Sequence, residues 1–281
     1  MILYKYLHPD RIDVLKNRTI RFSPPIAFND PFEFKPVISS IASDEYVNAY
    51  VAENLESLVE SELSKVPEDV LNLIPRSKVQ EFAVSYFKNN PLLFSFLMNK
   101  AKEQLSTILS EKSNELIGVL SLTEKPDNLL MWSHYAESHR GYCIGFNSNH
   151  SFFNRKRSEK DEFYHLRKVK YLAHRPSKSL VDMNGTDIFL LKSNAWEYEQ
   201  EWRMCAVLPD ADTTINFTAA PAVHLFKFPA DAIEEIIVGV NADSSLTESI
   251  KNIIDRTEFS HVKVKQASVS EKEFTLSFID L

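Results

Sequence analysis

The stretch Leu116-Ile-Gly-Val-Leu-Ser-Leu-Thr123 decides the fold, because the hydrophobic period changes where it begins. From here residues alternate, with Ser121 and Thr123 on one face and Leu120 and Leu122 on the other, as in a strand. Upstream, apolar residues recur at helical spacing. A helix opens at Ser43, an N-cap followed by Asp44 and Glu45, and carries Val47, Val51, Leu55, Leu58, Val59, Leu63 and Val66 on one stripe. Ser77-Lys-Val-Gln80 has capping-box form ahead of Val79, Phe82, Ala83, Tyr86 and Phe87. Asn89-Asn-Pro91 closes that helix and opens a third with Leu93, Phe96, Leu97, Ala101, Leu105, Ile108 and Leu109. Each of these helices is expected to turn one apolar face inward and a polar face outward.

Outside this block the patterns are β-type. Residues 2–6 and 19–23 read as strands, separated by one or two helical turns in 10–16. Downstream, a helix is predicted over 129–140, a strand over 142–146, a strand around Val169 and Tyr171, and a helix over 186–195. The end reads as strands 222–228 and 234–240, a helix over 245–256 with Ser245 and Glu248 as a capping box, then strands 262–269 and 273–280. No Pro/Gly/Ser-rich linker separates the parts. The fold class is therefore α+β: one domain with a mixed, mainly antiparallel sheet built from residues 1–42 and 116–281, interrupted by an all-helical insertion over 43–115.

With 281 residues, 44% hydrophobic and 25% charged, the chain has the composition of a folded globule. Its 32 Lys and Arg against 39 Asp and Glu leave a net charge of −7, which argues against generic polyanion binding. Arg155, Arg157, Lys160, Arg167, Lys168, Lys170 and Arg175 form the best local basic stretch, diluted by Glu159, Asp161 and Glu162 and read as solvated surface. Two cysteines, Cys143 and Cys205, are too few for a zinc site or a disulfide framework, which suggests a reducing cytoplasm. Lys5 and Pro9 interrupt any signal-peptide core, and no apolar run approaches the ~20 residues that span a bilayer, so no membrane is expected. Five glycines spell neither a P-loop nor a G-x-G-x-x-G fingerprint, and no serine sits in a nucleophile elbow.

Three constellations carry chemistry. In Trp196-Glu-Tyr-Glu-Gln-Glu-Trp-Arg203, an extended chain from Glu199 puts Glu199, Glu201 and Arg203 on one face. Two neighbouring carboxylates repel, which raises one pKa and suits hydrogen-bonding or acid/base work; Arg203 would partly neutralise them. The bland alternative is a salt-bridged strand edge beside two core tryptophans. In Ala27-Phe-Asn-Asp-Pro-Phe-Glu-Phe34, Asn29 and Asp30 either start a turn anchored by phenylalanines or point into a cleft. In the helix beginning Met131-Trp-Ser-His-Tyr135, His134 and His139 are five apart and unsuited to a zinc pair, while Trp132 and Tyr135 read most simply as core.

Taken together, Tyr4-Lys-Tyr6, Phe28-Asn-Asp-Pro-Phe-Glu33, Leu120-Ser-x-Thr, Met131-Trp-Ser-His-Tyr135 and Trp196-x-Tyr-Glu-x-Glu-Trp-Arg203 resemble a bacterial family carried under a domain-of-unknown-function label. More distantly, the order of a first-strand polar residue, Ser-x-Thr and Glu-x-Glu looks like the ADP-ribosyltransferase superfamily, whose members bind NAD in a split β-sheet cleft without a Rossmann motif. That resemblance implies Glu201 as the essential glutamate, Glu199 as its partner toward an acceptor, and Ser121 and Thr123 as the polar middle motif. The first-strand position, usually Arg or His, falls on Lys5, with Arg21 as a substitute. It further implies NAD as substrate and no metal. Tyr4, Trp132 or Tyr135 would wall the nicotinamide, and Lys5 and Arg21 would meet the diphosphate; Asn29, Asp30, His134 and Arg203 complete the candidate set. A small nucleotide and a protein or nucleic-acid acceptor would be the partners of such an effector, a toxin or phage-defence protein. Two other readings stand beside it. In one, Asp30, Glu33, Glu199, Glu201 and His134 gather around Mg²⁺ for phosphodiester hydrolysis. In the other, the acidic segment only closes the fold of a non-catalytic binding or sensor protein.

Overall fold

The computed structural model describes residues 1–65, 67 and 75–281. In chain order its strands are β1 Ile2–Leu7, β2 Thr19–Phe22, β3 Val37–Ile38, β4 Ile117–Thr123, β5 Tyr142–Asn147, β6 Leu166–Lys168, β7 Lys170–Leu172, β8 Ser177–Lys178, β9 Leu191–Ser193, β10 Glu201–Val207, β11 Thr213–Ile215, β12 Val223–Lys227, β13 Ile233–Val238, β14 Lys263–Val269 and β15 Leu276–Asp280. Its α-helices are α1 Asp13–Asn17, α2 Asp44–Leu63, α3 Arg76–Asn89, α4 Pro91–Leu116, α5 Leu129–Tyr135, α6 Gly185–Phe189 and α7 Ser244–Ile254. The fold is α+β, as the change of period predicts. Among the described residues no helix is long and apolar enough to cross a membrane.

The chain forms two compact units. Residues 1–35, 111–175 and 185–281 build the first around an eight-stranded sheet in the order β15-β14-β13-β5-β1-β4-β10-β6. Every neighbouring pair in it is antiparallel except β13 and β14, which the helix-containing connection through α7 makes parallel. Alternation sorts the side chains. Leu3 and Leu7 of β1, Leu120 and Leu122 of β4, and Met204 and Ala206 of β10 join the main core on one face. Tyr4 and Tyr6 pack with Met131, Trp132 and Cys143 on the other.

One seam of this sheet is open. β1 follows β5 over six register pairs and β4 follows β10 over seven, but β1 and β4 meet at the single pair Tyr4↔Thr123. Beyond that pair the strands part, and the end of β2 closes on β4 through reciprocal bonds between Ser23 and Val119, 3.0 and 2.9 Å.

Local signals account for most boundaries. Asn128 caps α5 by accepting from the Met131 amide at 3.1 Å. The helix expected to run to residue 140 stops at Tyr135, because Glu137, Ser138 and His139 all take left-handed backbone angles and bring the Gly141 amide to the Ala136 carbonyl at 2.9 Å. Gly141 is required there, since a Cβ would lie 2.0 Å from the Leu7 carbonyl oxygen. At α7 the cap is Asp243, which accepts from the Ser245 amide at 2.8 Å, and not the expected Ser245. The helix predicted over 186–195 is corrected more deeply: α6 ends at Phe189 and Leu191–Ser193 pairs parallel with β7, a backbone partner that outweighs helical spacing.

Residues 36–110 and 176–184 form the second unit, in which α2 packs on α3 and β3 pairs parallel with β8. The helices form where predicted, but not every stripe is buried: Phe82, Tyr86, Phe96 and Ile108 stand exposed, with Phe82 and Tyr86 stacked on each other one turn apart. Val66 lies outside the described residues.

Candidate functional site

The parting of β1 from β4 opens a cavity of about 280 Å³. Tyr4, Lys5 and Tyr6 border it from β1, Val119, Ser121 and Leu122 from β4, and Phe28 and Asn29 from the loop after β2. Met131 and Tyr135 of α5 contribute another wall, and Lys192, Glu199 and Glu201 supply charge.

Glu199 and Glu201 do not reach it as neighbours on one strand. A 3₁₀ helix over Asn194–Glu199 ends at a left-handed Gln200, and β10 begins only at Glu201. The expected extended segment is therefore a turn, and the two carboxylates converge because Gln200 redirects the chain between them. Lys192, from β9, stands where they meet. Its Nζ lies 2.6 Å from Glu199 Oε2, 2.9 Å from Glu201 Oε2 and 3.4 Å from Glu33 Oε1, with its side chain almost wholly buried.

Arg203 lies beneath, fully buried. It donates from Nε to Glu201 Oε1 at 2.7 Å, from Nη1 to the Phe189 carbonyl at 2.8 Å, and from Nη2 to Glu201 Oε2 at 2.9 Å and to Glu33. The rings of Phe28 and Phe34 flank its guanidinium, with centroids at 5.5 and 4.9 Å. Charges thus alternate from Glu33 through Arg203, Glu201 and Lys192 to Glu199, and Tyr135 extends the chain by donating to Glu199 Oε1 at 2.7 Å. Backbone contacts hold the acids in place. Tyr171 Oη accepts the Glu201 amide at 2.7 Å, and Thr123 Oγ1 donates to the Glu199 carbonyl.

The electrostatics separate the carboxyls. Burial alone would raise Glu201, but Arg203 and Lys192 overcome it and hold its pKa at about 2. The Ser121 hydroxyl, buried and without a hydrogen bond of its own, stands close enough to add to that lowering. Glu33 moves up instead, because desolvation outweighs Arg203 and Lys192, and its Oε2 has no partner. Burial opposes the charge on Lys192 and on Arg203, yet the surrounding carboxylates hold both firmly protonated. Lys5 differs. Desolvation lowers its pKa, Glu201 and Glu199 only partly offset that, and Arg21 and Arg11 add to the lowering.

Of the residues singled out from sequence, Tyr4, Lys5, Asn29, Ser121, Tyr135, Glu199 and Glu201 border this one cavity. Arg203 and Thr123 hold its floor. Trp132, wholly buried, donates to the Pro126 carbonyl at 2.8 Å and packs edge-on against Tyr6, so it backs the wall and does not face the space. Asp30 is buried in an Asx turn, accepting the Phe32 amide at 2.8 Å, while His134 meets Tyr198 Oη at 3.4 Å; neither borders the cavity. Arg21 lies outside the lining too, with its buried Nε unpartnered. Sequence reasoning missed Lys192, which falls within the helix predicted over 186–195, and Tyr171. Three residues of the basic stretch are paired with acids: Arg157 with Asp210 at 2.7 Å, Arg167 with Glu162, and Lys168 with Glu124 at 2.6 Å.

No metal site gathers from Asp30, Glu33, Glu199, Glu201 and His134, and among the described residues no group of three or more His, Cys, Asp or Glu side chains is placed to hold an ion. The reason is visible in the floor, where the Lys192 ammonium fills the point on which three carboxylates converge.

Neither the curated proteins nor the solved structures contain a match to the chain. Residues 131–204, the stretch that carries Tyr135, Lys192, Glu199, Glu201 and Arg203, match the model of a family described as protein of unknown function (DUF2971), and so bear the mark of a domain of unknown function.

Proposed function

We propose that the β1–β4 cavity cleaves the nicotinamide–ribose bond of NAD, passing ADP-ribose to water or to an acceptor. The observation that carries this reading is the convergence of Glu199 and Glu201 in an aromatic-walled hollow at the one seam where the sheet splits. When the C–N bond breaks, its electron pair leaves on the nicotinamide nitrogen and C1′ becomes cationic. A carboxylate that stays ionised at every physiological pH, as Glu201 does, stabilises that developing charge without taking up a proton. Tyr4, Tyr6, Phe28 and Tyr135 offer flat surface for the nicotinamide, and Asn29 and Lys5 offer polar contacts for ribose hydroxyls. Glu199, tied to Tyr135 and Lys192, is the carboxylate available to accept the proton of the incoming hydroxyl as its oxygen bonds to C1′. A cavity of this size takes the nicotinamide riboside half, leaving the adenylate end outside it.

The metal-dependent phosphodiesterase reading loses its ground, because Lys192 already supplies the cation those acids would share. A non-catalytic role draws on the same network, since both Glu201 oxygens already accept hydrogen bonds. Nicotinamide release from NAD by the purified chain decides between them. Release should fall by ~10²–10³-fold in Glu201→Gln, the loss typical of removing one preorganised electrostatic contact. A wild-type chain that releases no nicotinamide with any lysate present, and whose melting temperature NAD does not raise, refutes the proposal.

A further inference from the structure

Lys5 occupies an unusual place for a lysine. It sits mid-strand on β1, and its Nζ donates one hydrogen bond across the open seam, to the Ser121 carbonyl at 3.0 Å. A carbonyl oxygen is an acceptor that a neutral amine satisfies as well as an ammonium does. The acids that would otherwise fix Lys5 as a cation are committed elsewhere: Glu199 to Lys192 and Tyr135, Glu201 to Lys192 and Arg203. Arg21 and Arg11 add positive potential nearby, and the site is desolvated while still bordering the cavity. Burial next to other cations is the standard physical route to a nucleophilic lysine.

We propose that Lys5 is a reactive amine that condenses with small uncharged aldehydes entering the β1–β4 cavity. The nitrogen lone pair attacks the carbonyl carbon, the C=O π pair moves to oxygen, and a proton passes from nitrogen to that oxygen. Loss of the hydroxyl as water then leaves the imine, so that amine plus aldehyde give imine plus water with no oxidant or reductant. The proton relay falls to Ser121 Oγ, a buried hydroxyl on the cavity-lining residue whose carbonyl receives Lys5. The walls Tyr4, Tyr6, Phe28 and Tyr135 favour a flat apolar skeleton.

The test treats the intact chain at pH 7 with benzaldehyde and cyanoborohydride, which reduces the imine to a stable secondary amine, and follows each lysine by peptide mass mapping. Formaldehyde runs in parallel as a probe small enough to enter any form of the cavity. Because a lowered pKa raises the free-amine fraction at pH 7, Lys5 should be alkylated faster than every exposed lysine. That preference should vanish in denaturant. Lys5 modified no faster than exposed lysines with both probes overturns the proposal. The inference does not rest on the NAD reading: a chain that releases nicotinamide yet leaves Lys5 unmodified loses only this proposal, and the converse result loses only the other.

Discussion

Replacing Lys192 by Met tests whether the alternating charges under the cavity are one unit. Met keeps the length and apolar stem of the side chain but removes the ammonium that lies within 3.4 Å of Glu33, Glu199 and Glu201. Three buried carboxylates are then left with one guanidinium. Removing one partner of a buried ion pair costs about 3–5 kcal/mol, because the survivor keeps its desolvation penalty. At ~2–4 °C per kcal/mol for a large domain, the melting temperature should drop by roughly 6–20 °C at neutral pH. The deficit should also depend on pH with a definite sign. In the wild type Glu201 lies at about 2, below its unfolded value of ~4.3, so its contribution is present above the unfolded value and is lost as pH falls toward 2. Glu33 is raised, so its folded state favours the proton and loses stability as pH rises. Without Lys192 the first effect shrinks and the second grows, so the gap between variant and wild type should narrow as the pH is lowered from about 7 to 5. Denaturant unfolding of both proteins across that range is the assay. A deficit below about 1 kcal/mol, or one that stays constant with pH, would show that the three carboxylates do not depend on Lys192.

Two further substitutions probe single contacts. Tyr171→Phe removes the oxygen that accepts the Glu201 amide and should cost about 1–3 kcal/mol as a lower denaturant midpoint with unchanged slope; an unchanged midpoint means the amide finds another acceptor. Gly141→Ala sets a Cβ 2.0 Å from the Leu7 backbone oxygen, whereas at Gly145 the added atom meets side-chain carbons at 2.9 Å, so the first should lose more stability by thermal melting than Gly145→Ala. Equal losses would mean that the turn after α5 shifts to make room.

The parts of this molecule that sequence reveals are those governed by neighbours in the chain. Alternation in β1, β4 and β10 and the change of period near residue 116 are local, and they bring Lys5, Ser121 and Glu201 to adjacent strands. Lys192 is the opposite case. Its environment depends on the parallel pairing of β9 with β7 and on Glu33, which meets Arg203 from 170 residues away; no local pattern encodes either contact. The same non-local geometry explains why a run of three glutamates over 197–201 resembles a solvated edge in sequence. A solvated edge needs water for its carboxylates, and here the Glu199 carboxylate receives the Tyr135 hydroxyl and the Lys192 ammonium, and the Glu201 carboxylate the Lys192 ammonium and the Arg203 guanidinium, in its place. In the metal-centre reading, Glu33, Glu199 and Glu201 share a divalent ion. They do share a cation, but it is a lysine that the chain supplies, and it leaves Lys5 as the cavity amine with no carboxylate of its own.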